Sequence, residues 1–356
     1  MTIEPAPAEE ATKGGDFYRA LIRRRQMILI ALAVALSLSF CVDLALGPAR
    51  YSLAEVIEGL LRPEQVSEQV RVILWEIRMP VALMAMSVGA SLSIAGLQMQ
   101  TILNNPLASP FTLGISAGAG FGAALALAFG VTLFPFAVNY VIPINAFIMA
   151  MLTSLAIYGL SLRRGVTSET IVLLGIALVF IFNALMSLIQ FFASQQAVAA
   201  VVFWTMGSLT KATWPKVWIT FAMLIAATPL LVRQGWALTA MRLGDAKAES
   251  IGVKLRSLRL EVLVIVSLLA AISVSFVGTI GFIGLVGPHI ARMLLGEDQR
   301  FLLPGAALSG ALILSVGSVL SKMLIPGTVI PIGIVTAIVG IPFFLYLILS
   351  RRGATW

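Results

Sequence analysis

The sequence predicts an all-α polytopic membrane protein with about ten transmembrane helices. Of its 356 residues, 59% are hydrophobic and only 11% are charged, whereas soluble domains carry about 25% charged residues. Apolar runs long enough to cross a bilayer, which takes about 20 residues, recur along most of the chain. The net charge of +8 comes mostly from Lys and Arg in the short gaps between these runs. We therefore interpret the charge as a sign of how the chain is oriented in the membrane lipid, and we predict no nucleic-acid partner.

The elements follow one another as ten predicted spans with short connections. Residues 1–26 are polar and rich in arginine near their end, and we predict a cytoplasmic tail before an uncleaved first span. Residues 47–79 balance acids against bases and predict an external loop with a short helix at 53–61. An even number of spans also places the tail 351–356 in the cytoplasm. The spans, which form a membrane domain at 27–350, are 27–46, 80–100, 112–132, 141–162, 170–193, 216–232, 260–282, 284–295, 302–323 and 331–350.

One predicted span, 284–295, is shorter than the roughly 20 residues that a crossing needs. A half-helix is the alternative, which membrane proteins tolerate where other protein covers the backbone. The surrounding stretch, 278–292, carries a glycine at every third position before Pro288, and this spacing favours a broken or closely packed helix. The stretch 331–344 is likewise interrupted by Gly and Pro. Tight helix packing explains both stretches as well as a functional role does.

The longest charged interruption lies at 233–259, where six of 27 residues are basic and two are acidic. Such a segment cannot lie in hydrocarbon, where each charge costs roughly 2.5–3.5 kcal/mol, and its excess of Lys and Arg places it in the cytoplasm. We predict Asp245 as an N-cap, about two helical turns over 246–251, and Gly252 as the residue that ends them. This helix should dock a soluble partner, and an ordinary structured loop is the alternative. The residues that would give it an apolar side are Leu243, Ala246 and Ile251.

A polar turn broken by proline ends the second span. Pro106 cannot continue a helix, and it restricts Asn105 before it to extended conformations. The chain must therefore change direction between the second span and the third. Tight packing is again the alternative explanation for this turn.

The sequence predicts neither a catalytic nor a metal site. The only histidine, His289, has no Cys or carboxylate at ligand spacing, and the only cysteine, Cys41, lies inside the first span. Asp43 and Glu261 are the only acids inside apolar runs, and both lie near the end of a run. Carriers that couple transport to ions usually need ionisable groups within the membrane. We therefore expect no enzyme and no cofactor, with an energy source outside the chain, and keep an ion-coupled secondary transporter as the alternative class.

Four motifs carry a family resemblance. The stretches 104–120, 243–253, 278–300 and 331–344 resemble, in this order, permease subunits of the ABC importers for iron siderophores, haem and vitamin B12. The resemblance implies type II ABC importer permease architecture in a bacterial inner membrane. It also implies a second permease subunit, in a homodimer or heterodimer, a cytoplasmic ATPase dimer, and a periplasmic or lipoprotein-type binding protein. Ferric siderophore is the expected cargo, with haem or cobalamin as the alternative.

The resemblance also implies roles for individual residues. The segment expected to couple to the ATPase comprises Leu243, Gly244, Asp245, Ala246, Ala248, Ile251 and Gly252. The residues expected near a cytoplasmic gate are Asn105, Pro106, Leu107, Thr167 and Ser168. The residues expected to dock the binding protein are Arg78, at the outer end of the second span and exposed, and Lys322. Val81 stands where the family commonly has a second arginine, and a heterodimer could supply the missing charge.

Overall fold

The computed structural model describes residues 8–47, 51–131, 140–161, 167–325 and 327–350. Within these ranges the chain forms helices and no strands, which confirms the predicted all-α class. Part of the predicted N-terminal tail, 1–7, and the whole tail 351–356 lie outside the described residues. The α-helices of the described residues are α1 (Ala8–Ala45), α2 (Leu53–Leu61), α3 (Glu68–Val72), α4 (Met79–Ile102), α5 (Ile115–Phe129), α6 (Val141–Ser161), α7 (Ser168–Phe192), α8 (Gln195–Thr205), α9 (Trp214–Arg233), α10 (Gly235–Met241), α11 (Asp245–Ser250), α12 (Leu255–Val277), α13 (Ile283–Leu295), α14 (Gln299–Met323) and α15 (Ile332–Ser350).

Each of the ten predicted spans coincides with one helix. Among the described residues, seven helices are long and apolar enough to cross a membrane, and α5, α13 and α15 contain shorter apolar helices. With 13 residues, α13 is about 20 Å long, less than the ~30 Å of the hydrocarbon core. A multi-pass helical protein is therefore confirmed, whereas length alone does not fix how many of the ten helices cross.

The predicted external loop 47–79 contains the expected short helix and, beyond it, helical residues that were not predicted. Its expected short helix is α2, and a reciprocal pair of hydrogen bonds between Ser52 and Glu55 caps it. The bond from the Ser52 backbone N–H is the main reason that the pKa of Glu55 is lowered below its usual value. A π-helical segment, Ile73–Arg78, then continues α3 into α4. The helix α8 was not predicted at all, because it begins only two residues after α7 ends.

The helix α4 forms the core of the molecule. It contains no charged residue and is buried along nearly its whole length, as expected for a helix that is apolar on all sides. It packs against α9, α12, α13 and α14. The contact with α13 is close because a Cβ atom at Gly96 would overlap the backbone of Gly284. This confirms tight packing for the predicted glycine stretch at 278–292.

Candidate functional site

The segment 233–259 lies at one end of the helices, which we call the basic end. It forms α10 and α11, and Gly252 ends α11 with a φ of 91°. The N–H groups of Gly252 and Val253 donate to the carbonyls of Glu249 and Ala248, a Schellman arrangement. The predicted end of this helix is confirmed.

The predicted N-cap is wrong. Gly244 occupies that position, with a φ of 94° that favours glycine, and Asp245 is the first helical residue. The Asp245 carboxylate makes no capping hydrogen bond and instead accepts two from Arg259 Nη2, at 2.8 and 2.9 Å. Because Asp245 precedes Arg259 by 14 residues, helical spacing along the chain does not reveal the pair.

The predicted apolar side of α11 is exposed. Leu243 is 59% exposed and Ile251 is 49% exposed, and Ala246 is exposed as well. Ala248 is fully buried and holds the helix against the rest of the chain. Exposed apolar side chains among charged residues, at the end of a membrane protein, are typical of a surface that binds another protein.

The predicted gate turn follows the last residue of α4, Ile102. Asn104 adopts a φ of 43°, an uncommon conformation outside glycine. The Asn105 side chain accepts a hydrogen bond from the Leu107 N–H at 2.9 Å, and the Leu107 carbonyl accepts one from Thr112 at 3.0 Å. Local hydrogen bonds thus fix the turn around Pro106, and they leave the Leu107 side chain exposed.

The residue before the predicted gate turn, Asn104, lines one cavity with the coupling segment. Thr167, the other predicted gate position, is the N-cap of α7 and accepts a hydrogen bond from the Thr170 N–H. A cavity of 650 Å³ at the basic end is lined by Asn104, Thr167 and Asp245, among others. The side chain of Ser168 lies outside the described residues. Residues separated by more than 60 positions in sequence therefore meet at one cavity.

Arg259 connects the end of α4 to the start of α11. Arg259 was not identified as a functional residue from the sequence. Its Nε donates to the carbonyl of Ile102 at 2.9 Å, while its Nη2 binds Asp245. A second chain of contacts runs in parallel, because Glu297 accepts from Arg242 at 2.7 Å and from Arg292, which also donates to Gln100 at 3.1 Å. The only sequence signal for these contacts was that the side chains that make them are charged or polar and lie close to an apolar span. The last turn of α4 is thus held by two arginines.

The predicted docking residue Arg78 lies at the other end, which we call the opposite end. The expectation that it is exposed is wrong, because Arg78 is only 5% exposed. Its Nη1 donates to the carbonyls of Leu44 and Ala45 at 2.6 and 3.0 Å, and its guanidinium lies 4.8 Å from the ring centre of Tyr51. The guanidinium therefore satisfies the last carbonyls of α1, groups that have no partner inside their own helix.

Lys322 is also engaged within the chain. Its Nζ lies 2.8 Å from the carboxylate of Asp43, which is 0% exposed and accepts a further hydrogen bond from Ser318. Arg78 and Lys322 both line a cavity of 310 Å³ at the opposite end. The predicted docking residues are therefore close together, but both are used to hold α1 in place.

Replacing Arg78 with methionine is expected to destabilise the protein by about 1–3 kcal/mol, because the two α1 carbonyls would lose their buried donor. The measurement is the thermal unfolding midpoint of the detergent-solubilised protein. Arg71→Met is the matched control, since Arg71 is half exposed and only 3.8 Å from Glu68, a pair worth less than about 1 kcal/mol. Equal midpoints for the two variants would contradict the structural role of Arg78.

Within the described residues, no group of three or more His, Cys, Asp and Glu side chains is placed to hold a metal ion. The His289 ring instead meets the edge of Phe343, with 6.1 Å between ring centres. At the basic end, hydrogen bonds from Arg300 keep the pKa of the Asp298 carboxyl below its usual value, and Arg25 lies 3.6 Å from the same group. These charges tie α1 to the start of α14.

Comparison with known proteins shows that this chain is similar to transport permeases. A sequence model described as the FecCD transport family matches residues 35–350. A Helicobacter pylori (strain J99) protein named "Probable iron chelatin transport system permease protein" is 38% identical over 91% of this chain and 96% of its own length. The vitamin B12 import system permease protein of Serratia proteamaculans is 33% identical over 91% of this chain and 92% of its own length.

The fold also matches a solved structure. An inward-facing transporter assigned to the metal-chelate type of ABC transporter superposes with a TM-score of 0.80 at 30% identity. The match covers 91% of this chain and 99% of that chain.

Proposed function

This chain belongs to the FecCD transport family, and from that premise we propose that it is the permease subunit of an ABC importer that moves a ferric siderophore across the bacterial inner membrane. A cytoplasmic ATPase dimer supplies the energy, and a periplasmic or lipoprotein-type binding protein delivers the cargo. The observation that carries the proposal is the cavity at the basic end, because Asn104, which directly precedes the gate turn, lines it together with Thr167 of the gate and Asp245 of the coupling segment. In this proposal the basic end is cytoplasmic, and all ten predicted helices contribute to the membrane domain.

The ATPase docks on α11 and the residues beside it. Leu243 and Ile251 are large apolar side chains that water would otherwise surround, and burying one of them fully contributes about 1.5–3 kcal/mol. Gly244 and Gly252, which bound α11, both adopt positive φ and have no heavy atom within 4 Å of where a Cβ would lie. The two glycines thus shape a protruding helix and do not pack against the core.

Ile251→Glu is expected to reduce co-purification of the ATPase by about tenfold or more, because a charge replaces an apolar contact of about 1.5–3 kcal/mol. The measurement is the amount of ATPase retained by the tagged permease. Leu61→Glu is the control, because Leu61 is 77% exposed on α2 at the opposite end. Loss of the ATPase from both variants, or from neither, would contradict docking at α11.

The gate is formed by the turn Asn105, Pro106 and Leu107 together with the start of α7. A cysteine at Leu107, in a chain whose single native Cys41 is replaced by serine, is expected to crosslink to the second permease subunit. Because the gate opens and closes with the ATPase, crosslinking should differ between the nucleotide-free and the vanadate-trapped complex. Gel analysis after mild oxidation measures the yield. Equal yields in the two states would indicate that the turn is only structural.

The cargo is proposed from the family. The two relatives above are named for different cargoes, an iron chelatin and vitamin B12, so ferric siderophore is the proposal and haem or cobalamin the alternative. Growth of a deletion strain on defined iron sources distinguishes these cargoes. Siderophore-dependent growth that requires the gene supports the proposal, whereas an unchanged iron response with a lost cobalamin response contradicts it.

An ion-coupled carrier is less consistent with the described residues. The fully buried acid Asp43 is paired with Lys322 and Ser318, and Glu261 is exposed and bonded to Gln234. Each carboxylate therefore already has a partner within the chain. An adjacent reading frame for an ATPase and one for a binding protein would favour the importer.

A second permease subunit and the binding protein complete the proposed assembly. The α7 helix exposes large side chains such as Leu173, Phe180 and Phe191, which require lipid or a second permease to cover them. We place the binding protein at the opposite end, where Arg78 and Lys322 line one cavity. Since both cations are engaged internally, docking there depends on the shape of this surface more than on free charge.

A further inference from the structure

We propose that Arg259 is the positioning residue that transmits movement of the coupling segment to the gate turn. The role rests on the proposed function, since it needs a gate and a docked ATPase. One side chain touches both elements: Asp245 is the first residue of α11, and Ile102 is the last residue of α4.

One planar side chain bonds to both groups. Arg259 donates through Nε to the Ile102 carbonyl at 2.9 Å and through Nη2 to both carboxylate oxygens of Asp245, at 2.9 and 2.8 Å. The guanidinium is planar, so its donors keep a fixed angle to each other. A displacement of α11 therefore cannot leave the guanidinium in place without breaking one of these bonds. Lysine, with a single ammonium on a flexible stem, would not hold both groups at a fixed separation.

The point of attachment lies directly before the gate turn. The carbonyl of Ile102 is among the last carbonyls of α4, which have no partner within the helix and carry the partial negative charge of its C-terminus. The next residues are Leu103, which is buried, and Asn104, with its φ of 43°. The turn that ends in the exposed Leu107 therefore begins where the arginine is attached.

The fold does not depend on Arg259 alone. Arg292 donates to Gln100 in the same last turn of α4, and Glu297 connects Arg292 to Arg242. Loss of Arg259 should therefore leave α4 in place and remove only the direct connection to α11. This separation makes the role testable.

The experiment uses the full complex with its ATPase, with Cys41→Ser and Leu107→Cys as the parent. Arg259→Gln and Arg259→Lys are compared with Arg256→Gln, which removes the same charge one helical turn away. Arg256 forms no hydrogen bond or ion pair with any other described residue. Crosslinking of Leu107→Cys is measured without nucleotide and after vanadate trapping, together with ATP hydrolysis and the thermal unfolding midpoint.

Both Arg259 variants are expected to lose the nucleotide dependence of crosslinking, a change of about tenfold if the coupling is of typical strength. Their ATP hydrolysis and unfolding midpoints should stay close to those of the parent, and Arg256→Gln should behave like the parent. A merely structural role would lower hydrolysis, midpoint and crosslinking together, and that result overturns the proposal. Arg259 variants with undiminished nucleotide dependence also overturn it. A parent without any nucleotide dependence would overturn the proposed gate first, and the role of Arg259 with it.

Discussion

Lys322→Met is expected to destabilise the protein by about 3–5 kcal/mol, because it leaves the carboxylate of Asp43 buried without its counter-charge. Asp43 is 0% exposed and lies 2.8 Å from Lys322 Nζ. The remaining hydroxyl of Ser318 donates one hydrogen bond and cannot replace a charge. Unfolding of the purified protein in detergent, followed by circular dichroism, gives the change in stability.

The double variant Asp43→Asn with Lys322→Met is expected to recover much of this loss, since neither member of the pair is then charged. Recovery separates the ion pair from a simple loss of packing by the lysine stem. If the double variant is as unstable as Lys322→Met, the attribution to the unpaired charge is wrong. If Lys322→Met is as stable as the wild type, the ion pair makes no contribution.

Gly96→Ala is expected to cost about 1–3 kcal/mol or more, the usual range for overpacking a close contact. A Cβ at this position would overlap the backbone carbonyl of Gly284, and backbone cannot move aside as a flexible side chain can. The helices α4 and α13 would therefore have to separate, which also disturbs the last turn of α4 near the gate. The unfolding midpoint in detergent and the yield of folded protein measure the effect.

The matched control is Gly159→Ala in α6. No heavy atom lies within 4 Å of the position that its Cβ would take, and Gly159 is exposed. Alanine is favoured over glycine inside a helix by about 0.5–1 kcal/mol, so this change should be neutral or slightly stabilising. A loss of stability as large at Gly159 as at Gly96 would show that the effect is not due to the α4–α13 contact.

The sequence by itself determined the features that depend on neighbouring residues. Apolar runs of spanning length gave the all-α class and the positions of the ten apolar helices, because a backbone in lipid must satisfy its own hydrogen bonds. Gly252 marked the end of α11 for a local reason, the positive φ that a Schellman arrangement needs. The apolar side of α11, with Leu243 and Ile251, was also predicted from local sequence, and the structure shows that both side chains are exposed. The four motifs at 104–120, 243–253, 278–300 and 331–344 together also indicated the family that comparison confirmed.

Only the tertiary structure decided which charges meet. Asp43 and Lys322 are 279 positions apart, and Arg259 and Ile102 are 157 apart. Asp245 is the first residue of α11, whereas its partner Arg259 lies in the next helix, α12. An arginine at the end of a span, such as Arg78, has the same sequence signature whether it faces water or caps a neighbouring helix. Helix packing makes that choice, because in a low-dielectric interior a charge is tolerated only where a partner from another helix is within hydrogen-bond distance.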